Sequence, residues 1–125
     1  MKTSRKSGFT LVEIMIVVGL IGLLAAIAIP NFVRARTISQ RTTCINNLRQ
    51  VRHAIVQWAL EANASMNTPV QSTNVLPYLR ASVVCPAGGT SFSDSYSVTD
   101  VQTPPTCKQV PDGPNAHIVP PDSTQ

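Results

Sequence analysis

The chain has 125 residues, 43% of them apolar, and a formal net charge of +4. That length accommodates one small domain plus an anchor at most. Three of the ten basic side chains (Lys2, Arg5 and Lys6) sit in the first eight residues; the remaining seven nearly balance the six acids, which argues against a dedicated nucleic-acid binder.

Residues 1–8 read as a short basic leader with no fold of its own. Phe9 to Pro30 is a run of 22 residues with one ionisable side chain, Glu13. As a helix it would be about 33 Å long, enough to cross the hydrocarbon core of a bilayer. A secretory signal has a shorter apolar region followed by its cleavage site. Ala25, Ala26 and Ala28 offer a weaker pattern of that kind. A carboxylate inside such a span is costly, so Glu13 is a functional candidate; the bland alternative is an acid that snorkels to the headgroups.

The stretch Lys6-Ser7-Gly8 followed by Phe9-Thr10-Leu11-Val12-Glu13 resembles a type IV prepilin, or a pseudopilin of a type II secretion system. The resemblance closely covers about a quarter of the chain. It implies that a prepilin peptidase cuts between Gly8 and Phe9 on the cytoplasmic side, and that Phe9 is then N-methylated. Glu13 becomes the acid at the fifth mature position. It can pair with the new Phe9 amine in its own chain, since residues four apart share a helix face, or with the amine of a neighbouring subunit.

The resemblance further implies a homo-oligomer in a helical filament, with minor pseudopilins and an inner-membrane assembly platform as partners. Membrane lipid surrounds the helix before assembly. The expected location is the inner membrane, single-pass, with a cytoplasmic N-terminus and a periplasmic head. The filament would lie in the periplasm or at the cell surface. The basic residues Arg34, Arg36 and Arg41 follow the span closely, so charge counting adds little to this topology. The resemblance also implies that Gly22 to Pro30 loses helical structure on assembly.

Residues 31–64 form the amphipathic half of the same helix. Ile38, Ile45, Leu48, Val51, Ile55, Ala59 and Ala62 recur at helical spacing. Helix from 9 to 64 would measure about 84 Å. Ile55 and Trp58 are expected to pack beneath a head. Residues 63–74 read as a loop. Residues 75–79 read as a short helical turn capped by Ser72 or Thr73, with Leu76, Tyr78 and Leu79 as anchors. Gly88-Gly89 marks a turn. Thr90–Phe92 and Tyr96–Val101 alternate as a hairpin joined through Ser93-Asp94-Ser95. From Lys108 on, four prolines among 18 residues predict an extended, partly disordered tail, with 117–119 as a short edge strand. The fold class is therefore α+β and pilin-like: a long N-terminal helix with a small antiparallel β head over 65–107 and a tail over 108–125.

Three cysteines remain, Cys44, Cys85 and Cys107. The expected crosslink is a Cys85–Cys107 disulfide at the hairpin base, worth roughly 3.4 kcal/mol by chain entropy, although the sequence permits all three pairings. The alternative is a zinc set of Cys85, Cys107 and His117 with Cys44 as a fourth ligand. Its spacing matches no tight zinc pattern, and no metal or other cofactor is expected. Major pseudopilins resembling this chain bind calcium; Asp94, Asp100, Asp112 and Asp122 are available but form no dense ligand motif.

His53 and His117 are the only histidines, and no hydrolase, metalloprotease or phosphate-loop motif occurs. The chain reads as no enzyme, but as the substrate of one. The expected function is a structural pseudopilin of a type II secretion-like filament that serves protein transport. The close alternative is a type IV pilin or minor pilin for adhesion, motility or DNA uptake. A rival of another class is a membrane-anchored binding module using Arg34, Arg36, Arg41, Arg49 and Arg52 as a basic strip.

Overall fold

The computed structural model describes residues 8–120, so most of the leader and the last five residues of the tail lie outside the described residues. The chain divides into a unit up to residue 35 and a unit from residue 36 onward. Helix α1 (Leu11–Glu61) contributes to both.

In the first unit the helix is apolar on every side and none of its residues is buried. A helix with no polar face is a membrane span or the core of something larger. Length and composition suit a membrane crossing near the N-terminus. Neither Gly22 nor Pro30 interrupts it, and Pro30 lies inside α1. Pro30 removes the amide that would donate to the Ala26 carbonyl, leaving a weak point in a continuous helix.

In the second unit α1 turns one face inward. Cys44, Leu48, Val51, Ile55 and Ala59 are buried at intervals of three and four, with Ala54 beside them. Ile38 and Ala62, expected on this face, are exposed, so the buried stripe is shorter than the apolar pattern. Ile55 is fully buried and Trp58 packs partly against the same core, as expected. The helix stops at Glu61 because Asn63 takes a left-handed conformation, φ 49°. The Ala64 amide then reaches back to the Ala59 carbonyl at 2.9 Å, and that of Ala62 to Trp58 at 2.9 Å. This is the Schellman way of ending a helix, with Asn in the position Gly usually takes.

The chain returns along the helix through 66–70. Val70 donates to Thr99, Val101 to Thr68 and Gln102 to Met66, a short antiparallel pairing inside what reads as a polar loop. Helix α2 (Ser72–Val75) begins three residues earlier than expected and runs into a 3-10 turn, Leu76–Tyr78. Its start is held by the Gln71 amide donating to the Asn74 side chain at 3.0 Å. Val75 is its fully buried anchor, whereas Leu76 stays 44% exposed.

The head differs from the predicted hairpin. Residues Phe92–Ser95 form a helical turn, α3, and the strands are β1 (Tyr96–Ser97) and β2 (Thr106–Cys107). They pair antiparallel with Tyr96 opposite Cys107 and Ser97 opposite Thr106. The physical reason is capping. The Ser91 hydroxyl accepts from the Asp94 amide at 3.2 Å, and the Asp94 carboxylate accepts from the Thr90 amide at 3.1 Å. Two side chains that satisfy the amides of a helical turn outweigh a three-residue alternation. Phe92 and Tyr96 then stack at a tilt, ring centres 5.7 Å apart.

The tail forms no edge strand. Residues 108–120 are irregular but tied down. Lys108 donates to the Ser95 carbonyl and His117 to that of Val110, both at 2.9 Å. Arg41 Nε donates to the Ala116 carbonyl at 3.0 Å. Ala116 and His117 are buried.

Candidate functional site

Two places carry chemistry. At the N-terminal one, Gly8 and Phe9 lie ahead of α1 and are exposed, Phe9 at 85%. Among the described residues, its chain neighbours aside, no atom lies within 4 Å of the position a Gly8 Cβ would take. Glu13 turns back on its own helix start: Oε2 accepts from the Thr10 amide at 2.9 Å and from Thr10 Oγ1 at 2.8 Å. Thr10 Oγ1 in turn faces the Glu13 amide at 3.4 Å. This is a capping box, and its signature, Thr-x-x-Glu before an apolar run, is visible in Thr10-Leu11-Val12-Glu13. The signature gives Glu13 a third role, beside those of amine partner and snorkelling acid.

The second place lies inside the head. Cys44 comes from α1, Cys85 from the turn before α3, Cys107 from β2 and His117 from the tail. All four are at most 3% exposed. Their donor atoms lie within 4.8 Å of one another. Cys85 Sγ is 3.5 Å from His117 Nδ1 and 3.6 Å from Cys107 Sγ, and Cys107 Sγ is 3.8 Å from His117 Nδ1. The three cysteines are free thiols in the structure. Cys85 and Cys107, expected as a disulfide, are thus neighbours whose sulfurs stand beyond bonding distance.

The surroundings of the cluster are polar and built. The Cys44 thiol donates to the Tyr96 hydroxyl at 3.7 Å, and Asn47 Nδ2 donates to the same hydroxyl at 3.0 Å and to the Val84 carbonyl at 2.9 Å. The Cys85 amide donates to Ser95 Oγ at 3.0 Å. The Cys85 carbonyl accepts from the Gly88 and Gly89 amides at 3.3 and 2.9 Å. Burial pushes the Cys44 and Cys85 thiols up, while the Ala87 amide bonded to Cys85 works the other way. Burial, and then the charge of Arg41, hold the His117 imidazole below its ordinary value.

The remaining candidates are engaged in local structure. Asp94 caps α3, and Asp100 accepts from the Thr103 amide and hydroxyl at 2.6 and 2.9 Å. Asp112 is exposed, and Asp122 lies outside the described residues. Of the basic strip, Arg41 and Arg52 donate to the carbonyls of Ala116 and Val101, and Arg49 to the Asn46 side chain. His53 is exposed.

An apolar helix beginning just after an exposed Gly-Phe junction, in a chain with a small α+β head, defines the pilin-like class of protein. The comparisons agree. Residues 3–29 match the prokaryotic N-terminal methylation motif. The chain is 53% identical over 45 residues to the type IV major pilin protein PilA of Myxococcus xanthus, covering 36% of this chain and 20% of that one. It is 31% identical over 99 residues to a fimbrial protein of Pseudomonas aeruginosa, covering 78% and 62%. It is 29% identical over 63 residues to the type II secretion system core protein G of Aeromonas hydrophila, covering 50% and 44%. Each match therefore spans less than two thirds of the relative's length. No solved structure matches the chain significantly. The methylation motif and these relatives support a type IV prepilin or pseudopilin family for the N-terminal segment.

Proposed function

We propose that this chain is a filament subunit, and within that class a pseudopilin of a type II secretion-like system. The observation that carries the filament reading is the first half of α1. Its large apolar side chains from Leu11 to Ile29 are all at least half exposed, on every side of the helix. Lipid satisfies such a surface before assembly, and the same segment of other copies satisfies it afterwards. The exposed Gly8–Phe9 bond suits a peptidase that cuts ahead of the helix. Cleavage frees an amine at Phe9 that competes with Thr10 for the Glu13 carboxylate, in the same chain or a neighbour. The small head supports the pseudopilin reading, as does the likeness to protein G.

The pilin reading has its own support. The likeness to the Pseudomonas fimbrial protein runs over 99 residues and so into the head, whereas the likeness to the Aeromonas protein G covers 63. The experiment is to delete the gene in the native host, then shear the cell surface of the wild type and analyse it for this chain. Loss of protein secretion with no chain in the sheared fraction supports the pseudopilin. Sheared filaments built of this chain overturn that reading in favour of the pilus. A mature chain that still begins at Met1 overturns both.

A further inference from the structure

We propose that Cys44, Cys85, Cys107 and His117 form a tetrahedral Cys3His site for a structural zinc ion, which staples the head together. The inference rests on the head alone and is independent of which filament the chain serves.

Zinc bound by thiolate at about 2.3 Å and imidazole at about 2.0–2.1 Å sets its ligands about 3.5–3.8 Å from each other at tetrahedral angles. The three distances that join Cys85, Cys107 and His117 are 3.5, 3.6 and 3.8 Å. Cys44 Sγ lies on the fourth side, within 4.8 Å of the other three donor atoms, a separation that binding would draw in by at most about 1 Å. A single disulfide does not account for this convergence. It would join two sulfurs and leave a third buried thiol and a buried imidazole facing it. Nor does apolar packing account for it, because His117 is 3% exposed and its Nδ1, rather than a ring edge, points at the sulfurs.

The supporting shell is that of a metal site. Cys85-Pro86-Ala87-Gly88-Gly89 folds as a knuckle, its Gly88 and Gly89 amides on the Cys85 carbonyl. Gly88 has φ +143°, and a Cβ on Gly89 would fall 1.9 Å from Ser95 Oγ, so both positions need glycine. Asn47 donates to the Tyr96 oxygen, which leaves the phenolic proton free to point at Cys44 once that sulfur is a thiolate. On binding, three thiols release three protons, and three S–Zn bonds and one N–Zn bond form with no change of oxidation state. Three thiolates around a dication leave a net negative centre. Arg41, anchored on the carbonyl next to His117, supplies the offsetting charge. The four ligands come from α1, the 85–89 turn, β2 and the tail, elements that share few regular hydrogen bonds. A head of this size needs such a crosslink.

The test uses the full chain, purified in detergent without chelator or reductant from cells grown with zinc. Elemental analysis is expected to give one zinc per chain, with all three cysteines reduced by intact mass. Replacement by cobalt(II) is expected to give the strong visible bands and thiolate charge-transfer absorption of a tetrahedral three-sulfur site. Cys44→Ser is expected to lose stoichiometric zinc, although Cys44 takes no part in a Cys85–Cys107 disulfide. Because that variant can fail to fold, the wild-type stoichiometry and cobalt spectrum decide the matter by themselves. A zinc-free chain overturns the proposal, whether it carries a Cys85–Cys107 disulfide or three free thiols. So does a weak, octahedral cobalt spectrum.

Discussion

Thr10 and Glu13 hold each other at the first turn of α1. The carboxylate takes both the amide and the hydroxyl proton of Thr10, at 2.9 and 2.8 Å. The acid proposed above as the partner of the Phe9 amine, in its own chain or a neighbour, is therefore already occupied in the single chain. The occupant is cheap to displace, since an amine is a stronger partner for a carboxylate than a neutral hydroxyl.

Glu13→Ala is accordingly expected to leave cleavage at Gly8–Phe9 intact and to impair filament assembly. Thr10→Ala, which removes only the cap, is expected to cost the helix start about 1 kcal/mol and to leave assembly near normal. Immunoblots of processed chain and electron microscopy of filaments separate the two effects. Equal assembly defects in both variants would mean that Glu13 serves the helix rather than the filament.

Gly89→Ala is expected to destabilise the head by about 1–3 kcal/mol, as overpacking does. The added methyl would meet Ser95 Oγ at 1.9 Å and the Cys85 amide at 3.0 Å. Gly19→Ala, in open space on the apolar half of α1, is the control and is expected to leave head unfolding unchanged. Thermal unfolding followed at Trp58, which packs partly against the head core, reads the difference.

Asn47 bridges two elements through one amide, to Val84 and to the Tyr96 hydroxyl. Asn47→Ala leaves the buried Tyr96 hydroxyl and the half-buried Val84 carbonyl each short of a donor and is expected to cost about 1–3 kcal/mol. Tyr96→Phe is expected to cost less. A double-mutant cycle on the pair, read by urea unfolding, should show coupling; strict additivity would mean that the bond contributes nothing.

The Thr103 amide, and then its hydroxyl, hold the Asp100 carboxyl below its ordinary value. A depressed folded-state pKa means that the folded chain binds its proton less readily than the unfolded one. The contribution to stability is then complete above the unfolded value of about 3.9 and fades as pH falls through the folded one. Asp100→Asn is expected to narrow the gap in unfolding midpoint between neutral and acid pH relative to the wild type. An unchanged gap would show that the Thr103 contacts do not persist in solution.

Much of this protein is decided by local pattern. The Phe9–Pro30 run, the place of Glu13, and the amphipathic stripe at Leu48, Val51 and Ile55 are properties of one segment at a time, so spacing suffices to read them. Even the Thr10–Glu13 cap was legible, since its partners lie three residues apart. What only the tertiary structure decided depends on distant segments meeting. Thr90–Phe92 alternates like a strand, but Ser91 and Asp94 cap it into α3, and β1 takes Thr106–Cys107 as its partner instead. The proline-rich tail, with no periodicity of its own, is held by Arg41 from 75 residues away. The gathering of Cys44, Cys85, Cys107 and His117 belongs to this second kind. No spacing along the chain encodes four ligands from four elements, because their distances are set by how the head closes on α1 from residue 36 onward.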